Sequence, residues 1–347
     1  MFRHTGRAMA MLALLAAMVA VAPSATPQES GNAAFEFAII GDVPYNAGDD
    51  VKLDRIIEQV NKDPKVVWVL HAGDIKNGSE PTTDALVKSR FNQYQKFDDA
   101  FLFTPGDNEW TDVHRASQGG LNPLERLSFV RSIFYPNPGW STGGDPMKVR
   151  TQAHDAGWSE FVENQLWVRS GVVFSMIHVV GSHNNLDPWT GIDANDSLAT
   201  PRADRIAEYT RRLAAVLAWI DETFAVASAK NAKGVFLCMQ ANPGFEAAST
   251  SADRRGFNEI VNKIAAKTIA FGRPVVVGHG DSHYFRVDKP LVVPTAGGGA
   301  SRRLENLTRV ETFGDTDVHW VKVKVDPNSP GVFSFEAVLV PDNFFPR

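Results

Sequence analysis

FLFTPGDNEW, residues 101–110, is an apolar run that stops at a glycine and gives way at once to an acid, an amide and a second acid. Three other runs halt in the same manner: FAIIGD at Asp42, VVWVLHAGD at Asp74 and VVVGHGD at Asp281. One Gly-Asp pair is ordinary punctuation, since glycine bends the chain and aspartate caps turns and helix starts. Four of them, each closing a β-branched or aromatic run, ask for a common cause. In open α/β sheets, ligands gather outside the carboxyl ends of the strands, where loops from several strands converge. Aspartates far apart in sequence meet there, and several carboxylates within a few ångströms stay ionised together only when cations neutralise them. GDSHYF adds an imidazole at His283, two residues after Asp281. A metal site follows most naturally.

The rest of the chain supports strands that end in one crevice. Residues 35–40, 66–70 and 101–104 read as strands, and residues 51–60 and 81–95 as the helices between them, with Asn122-Pro123 opening a third helix that carries Leu127, Val130 and Phe134. This is the alternation of a largely parallel sheet. WVRSG and VVFSMIHVVG read as strands on either side of Gly171. A long helix follows, with Thr200 as N-cap, Pro201 in the first turn, an apolar face of Ile206, Leu213, Val216, Leu217, Ile220 and Phe224, and Gly234 as its stop. Then come a strand at 235–239, a helix bearing Phe257, Ile260, Val261 and Ile264, and a strand at 275–277. VHWVKVKVD alternates apolar and polar residues, and VFSFEAVLV does so in part, which predicts antiparallel strands with one wetter face. No internal repeat divides the chain.

In order, GDVP (41–44), GDIKN (73–77), GDNE (106–109), MQANPG (239–244) and GDSH (280–283) resemble the motif string of the calcineurin-like metallophosphoesterases, over roughly residues 35–287. The resemblance implies an α/β fold, a β-sandwich of two mixed sheets flanked by helices in four layers. It implies two divalent ions bridged by Asp74, with Asp42 and His283 on one side and Asp107, Gln240 and Asp281 on the other. It also implies hydrolysis of a phosphate mono- or diester by metal-activated hydroxide, on a small phosphorylated substrate. Several motifs are altered. Pro44 stands where the first histidine would be, Asn77 where the second motif ends in aspartate, and Asp107-Asn108 where the third has Asn-His. Gln240 or Asn242 replaces an isolated histidine, and Asp281 replaces the first histidine of the last pair unless His279 takes that place.

The family's catalytic position therefore falls on Asn108, beside Asp107. An amide donates a hydrogen bond but delivers no proton. His279 is the candidate to substitute, with His71 and His114 as alternatives, and without an acid the reaction should favour aryl over alkyl phosphates. Exchange of imidazole for oxygen favours manganese, magnesium or calcium over zinc, with iron also admissible. The rival reading is a non-catalytic protein that binds metal or a phosphorylated ligand on the same scaffold. GWSTG (139–143) matches a nucleophilic-serine pattern, but loops flank it on both sides instead of the strand and helix that such a motif requires. AGGGASRR (296–303) could place backbone N–H groups and two guanidiniums near an anion, or be a plain glycine loop.

Of the 347 residues, 44% are apolar, enough to fill a sizeable core. Thirty-five basic and forty acidic side chains give a net charge of −5, and with no lysine- or arginine-rich block, long nucleic acid is excluded as a partner. Arg3 and Arg7 precede an apolar stretch (8–21) that leads into Ala22, Ser24 and Ala25, the layout of a secretory signal. The expectation is a signal peptide over 1–25 and one domain over 33–347, secreted or periplasmic. The apolar stretch is too short for a membrane span, so none is expected after cleavage. Losing two arginines would leave the mature chain at 33 − 40 = −7. Cys238 is the single cysteine, so no intramolecular disulfide forms. The oligomeric state is not legible.

Overall fold

The computed structural model describes residues 32–294 and 301–344. The signal segment read at 1–25 lies outside the described residues, as does most of the glycine run before Arg302. The first half is β1 (Phe35–Ile40), α1 (Ala47–Asn61), β2 (Val66–His71), α2 (Asp84–Tyr94), β3 (Ala100–Phe103) and α3 (Pro123–Phe134), with the three strands parallel. Next come β4 (Thr142–Gly143), β5 (Arg150–Thr151), β6 (Gln165–Arg169), β7 (Val172–Met176), a five-residue segment α4 (Gly181–Asn185), α5 (Ala203–Ala229), β8 (Gly234–Cys238), α6 (Asn258–Phe271) and β9 (Val275–His279). The chain closes with β10 (Arg286–Asp288), β11 (Val292–Val293), β12 (Arg302–Arg303), β13 (Leu307–Glu311), β14 (Trp320–Val325) and β15 (Phe333–Val338).

Among the described residues these strands form two mixed sheets, ordered β15-β14-β1-β2-β3-β4 and β10-β13-β9-β8-β7-β6-β5, and a small β11-β12 pair. Each large sheet is covered on one face by the other sheet and on its second face by helices. In β1, Phe35, Phe37 and Ile39 enter the core between the sheets, while Ala38 and Ile40 enter the core under α1 and α2. The period-two geometry of a strand requires this division, and a strand buried on both faces reads as a continuous apolar run. Phe37 sets its ring 5.4 Å from Trp68, 5.6 Å from Phe174 and 5.2 Å from Phe236, tying the two sheets together. Truncating such a fully buried phenylalanine costs about 3–5 kcal/mol. The outer face of the second sheet packs on α5 and α6 through Val216, Ile220, Ile260 and Ile264. The four-layer sandwich is the architecture that the motifs implied.

Caps account for the helix starts in the first half. Asn46 accepts from Gly48 N and Asp49 N, Thr83 from Leu86 N, and Asn122 from Leu124 N and Glu125 N, with Pro123 at the first helical position. Each such cap is worth about 1 kcal/mol. α2 accordingly starts at Asp84, later than the expected residue 81.

The long helix departs from its expected ends. Thr200 is not its N-cap: the Thr200 hydroxyl donates to Asn195 O and pairs with Ser197, bending the loop ahead of the helix. Entry is fixed by Asp196, which accepts from Trp189 N, Arg202 N and the buried Arg205 guanidinium. The helix ends at Ala229, and Gly234 opens β8. β13 was not anticipated. It pairs parallel with β9, and its Arg309 is buried against Asp288 and Glu246, so a buried ion pair breaks the apolar run that would have announced the strand.

Candidate metal centre

The carboxyl ends of β1, β2, β3, β8 and β9 come together between the two sheets. Three of the four motif aspartates stop their strands by the same device. Asp42, Asp74 and Asp281 sit at φ 53°, 59° and 80°, and His283 at φ 58°. Left-handed backbone cannot continue a strand, and aspartate is among the few non-glycine residues that tolerate it. Such strain persists only where the surroundings over-determine it, and it concentrates at functional sites.

The preceding glycines have a different purpose. A Cβ on Gly106 would strike the Asp74 carboxylate, and one on Gly280 would strike that of Asp42. A Cβ on Gly73 would lie 2.6 Å from Gln240 Cγ. Gly181, outside the expected motifs, leaves the same room for Asp107 Oδ2, which a Cβ there would approach to 2.6 Å. Gly73, Gly106 and Gly280 thus each make space for a side chain from another motif.

The cluster is knit by hydrogen bonds. Asp281 N lies 3.0 Å from both Asp42 oxygens, and His283 Nε2 is 3.5 Å from Asp42 Oδ1. Asp74 Oδ1 accepts from Asn108 N at 3.0 Å, and Oδ2 accepts from Asn108 Nδ2 at 3.1 Å. Asp107 Oδ2 accepts from the Ser182 hydroxyl at 2.9 Å, and Asp281 Oδ2 from Asn242 N at 2.8 Å. Gln240 lies at the centre, its Nε2 3.2 Å from Asp74 Oδ2, 3.2 Å from Asp107 Oδ1 and 3.3 Å from Asp281 Oδ1. All of the aspartates and the histidine proposed from sequence thus meet, with Asn108 among them.

Burial raises the Asp74 and Asp281 carboxyls well above the usual range, and neighbouring carboxylates push both further. Asp42 is raised by burial too, against the pull of His283. Burial would lower the His283 imidazole, but its bond and attraction to Asp42 win and lift it to about 9. Crowded carboxylates of this kind gain from a cation. Among the described residues no three His, Cys, Asp or Glu side chains are already spaced as a ligand cage. The residues fit an ion unevenly. His283 Nδ1 donates to Asp315 O at 2.6 Å, which directs Nε2 towards Asp42 as a ligand's second partner would. Asp42, Asp74 and His283 supply donor types that a divalent ion takes. Around Gln240 the fit fails, because the amide nitrogen, which is no metal ligand, faces the carboxylates.

Sequence reasoning passed over Tyr45. Its hydroxyl donates to Asp74 Oδ2 at 3.3 Å, accepts from Asn108 Nδ2 at 3.0 Å and lies 3.2 Å from His283 Nε2. Asn77, the altered end of the second motif, holds this tyrosine by donating to its carbonyl at 2.6 Å. GDVPY carried the signal, since Tyr45 is three residues beyond Asp42. Tyr45, Asp107 and Asn108 keep 8–9% exposure and the His283 side chain 28%, where Asp42 and Gln240 keep none, so these four lie at the mouth.

His279 does not join the cluster: its Nδ1 donates to Gly280 O, its ring lies 6.4 Å from Phe245, and burial lowers it to about 3. His71 donates to Val43 O and accepts from Gly73 N, which fixes a neutral tautomer, and burial brings it down to about 4. His114 accepts from Gly191 N. All three brace loops. Trp110 is buried with Leu127 and Val180, away from any ligand surface. Ser141 pairs with Met147 N and Thr142 O and has no base. Replacing Ser141 by alanine should leave any phosphate-ester hydrolysis unchanged within about twofold and cost about 1 kcal/mol of stability, as rate assays and urea titration would register.

The wall behind Asp107 is α4. Its Ser182, His183, Asn184 and Asn185 sit at φ 48°, 54°, 57° and 67°, a left-handed turn. Arg212 from α5 holds it, donating to Asn184 O at 3.0 Å and to the Asn184 side chain, while Glu208 secures the guanidinium at 2.6 Å.

A family model described as calcineurin-like phosphoesterase matches residues 35–272. Among solved structures, the chain is similar to GAP50, the anchor in the inner membrane complex of Plasmodium. The two are 12% identical with a TM-score of 0.43, over 88% of this chain and 89% of that one. It is also similar to the phosphopantetheinyl hydrolase from Mycobacterium tuberculosis, 12% identical with a TM-score of 0.40, over 90% of this chain and 98% of that one. No curated protein sequence matches.

Proposed function

Because the chain belongs to the calcineurin-like phosphoesterase family, whose members generally bind divalent metals, we propose that it hydrolyses phosphate esters of a small substrate with a metal held by Asp42, Asp74 and His283. What carries this reading is the convergence of those three residues with Asp107, Asp281 and Asn108 from four strand ends. A divalent ion there supplies a Lewis acid for the phosphoryl oxygen and for the attacking water. The chain supplies orientation. Asn108 Nδ2 and the Tyr45 hydroxyl, both at the mouth, are neutral donors suited to phosphoryl oxygens. Asp315 O fixes the His283 ring, and Asn77 fixes Tyr45. His71, His114 and His279 bond elsewhere, and His283, linked to Asn108 through the Tyr45 hydroxyl, is assigned to the metal, so none of these imidazoles is left to protonate a leaving group in place of the missing histidine. That favours aryl phosphates and keeps open the second reading, a binding protein without turnover.

Metal-stripped protein assayed with manganese, magnesium, calcium and zinc on aryl and alkyl phosphates tests this directly. We expect hydrolysis with at least one of the first three, weaker with zinc, and faster on aryl esters. Metal binding without hydrolysis of either ester would favour the binding protein, and no metal binding would refute the site.

A further inference from the structure

The position defined by Asp74, Asp107 and Asp281 is occupied by an amide. Gln240 has no exposure, and its Oε1 accepts from Gly181 N at 2.6 Å, which turns Nε2 towards the three carboxylates at 3.2, 3.2 and 3.3 Å. Rotating the amide would aim Oε1 at the carboxylates and face the NH₂ against the Gly181 N–H, exchanging four favourable contacts for four unfavourable ones. The orientation is therefore locked. An amide nitrogen bearing two hydrogens has no lone pair to offer a cation, and it stands where an ion shared by those carboxylates would have to be.

The remaining oxygens at this position are also taken. Asp107 Oδ2 is held by Ser182, and Asp281 Oδ2 by Asn242 N. At the other position both Asp42 oxygens lie 3.0 Å from Asp281 N, and the side chain that faces them is His283, itself a ligand type. We infer that this chain binds a single divalent ion, at Asp42, Asp74 and His283, and that the Gln240 amide replaces the second ion of a two-metal site. The inference rests on the proposed metal centre and refines it. A single ion is a weaker clamp on a phosphoryl group, because the attacking and leaving oxygens no longer each face a metal.

Equilibrium dialysis of metal-stripped protein against manganese, followed by electron paramagnetic resonance, decides the point without any assay of turnover. We expect about one ion per chain at saturation, with the resolved hyperfine pattern of isolated manganese. The Gln240→His variant, which replaces the amide donor with a ring nitrogen lone pair, should take up about two ions and show a spin-coupled spectrum. Two coupled ions in the unaltered protein would overturn the inference and leave the metal centre standing, whereas no ion would remove the metal centre itself. One ion in both proteins would clear Gln240 of the role assigned to it. If Gln240→His does not fold, Gln240→Glu, which keeps the shape and gives the cation a carboxylate, serves as the second variant and should likewise gain an ion.

Discussion

Asp74→Ala protein should retain no divalent ion after dialysis and should hydrolyse phosphate esters about ten-thousandfold more slowly, a loss of the order seen when one member of an interdependent catalytic set is removed. The carboxylate is buried and central, touching Tyr45, Asn108 and Gln240 at once. Stability gives an independent readout. The raised carboxyl groups of Asp74 and Asp281 favour the fold in their protonated form, so their contribution is complete below the unfolded carboxyl range. It is lost as the pH rises through the folded values. The metal-free protein thus carries a penalty at neutral pH that a bound cation relieves. Adding manganese should raise Tm more at about pH 7.5 than at about pH 5 in the unaltered protein, and at neither pH in Asp74→Ala. A variant that kept its metal, or whose Tm still rose with manganese, would remove Asp74 from the centre.

Arg212→Ala should cost about 3–5 kcal/mol of stability, because it leaves the Glu208 carboxylate with Asn185 Nδ2 but without its guanidinium and removes the contacts that hold Asn184 in the turn. The guanidinium is 1% exposed, lies 5.4 Å from the Trp110 ring and also donates to His178 O. Four successive left-handed residues have no intrinsic preference for that conformation, so loss of the arginine should let α4 relax and carry Ser182 away from Asp107. Urea unfolding gives the stability change. A loss below about 1 kcal/mol would show that the turn holds itself. Arg212→Lys should not restore it, since an ammonium cannot reproduce the forked contacts.

The architecture was open to reading because strands buried on both faces leave unbroken apolar runs, and because glycine, asparagine and proline mark the breaks between them. Asp42, Asp74, Asp107 and Asp281 were legible for the same reason: each directly follows a run. Tyr45 was not, because a tyrosine among apolar residues looks like core until its hydroxyl is seen between Asn108 and His283. The α4 turn was not anticipated, since the strand read over VVFSMIHVVG reaches only its first residue, Gly181, and its handedness depends on a guanidinium nearly thirty residues later. Gln240 lies among the motif aspartates, but the direction of its amide is set by Gly181 N, a contact between neighbouring strand ends of one sheet that no local pattern contains.

The reciprocal fit of glycines and carboxylates constrains how this centre can change over time. Gly106 is small for the sake of Asp74, Gly280 for Asp42, and Gly181 for Asp107. A mutation that enlarges one loop is therefore felt first at a different loop, on a strand that kept its own sequence. Loops transplanted singly from a relative would arrive without the clearance that their neighbours provide. Such a centre is inherited as a block, and its lineage would be read more faithfully from which glycines travel together than from any one ligand.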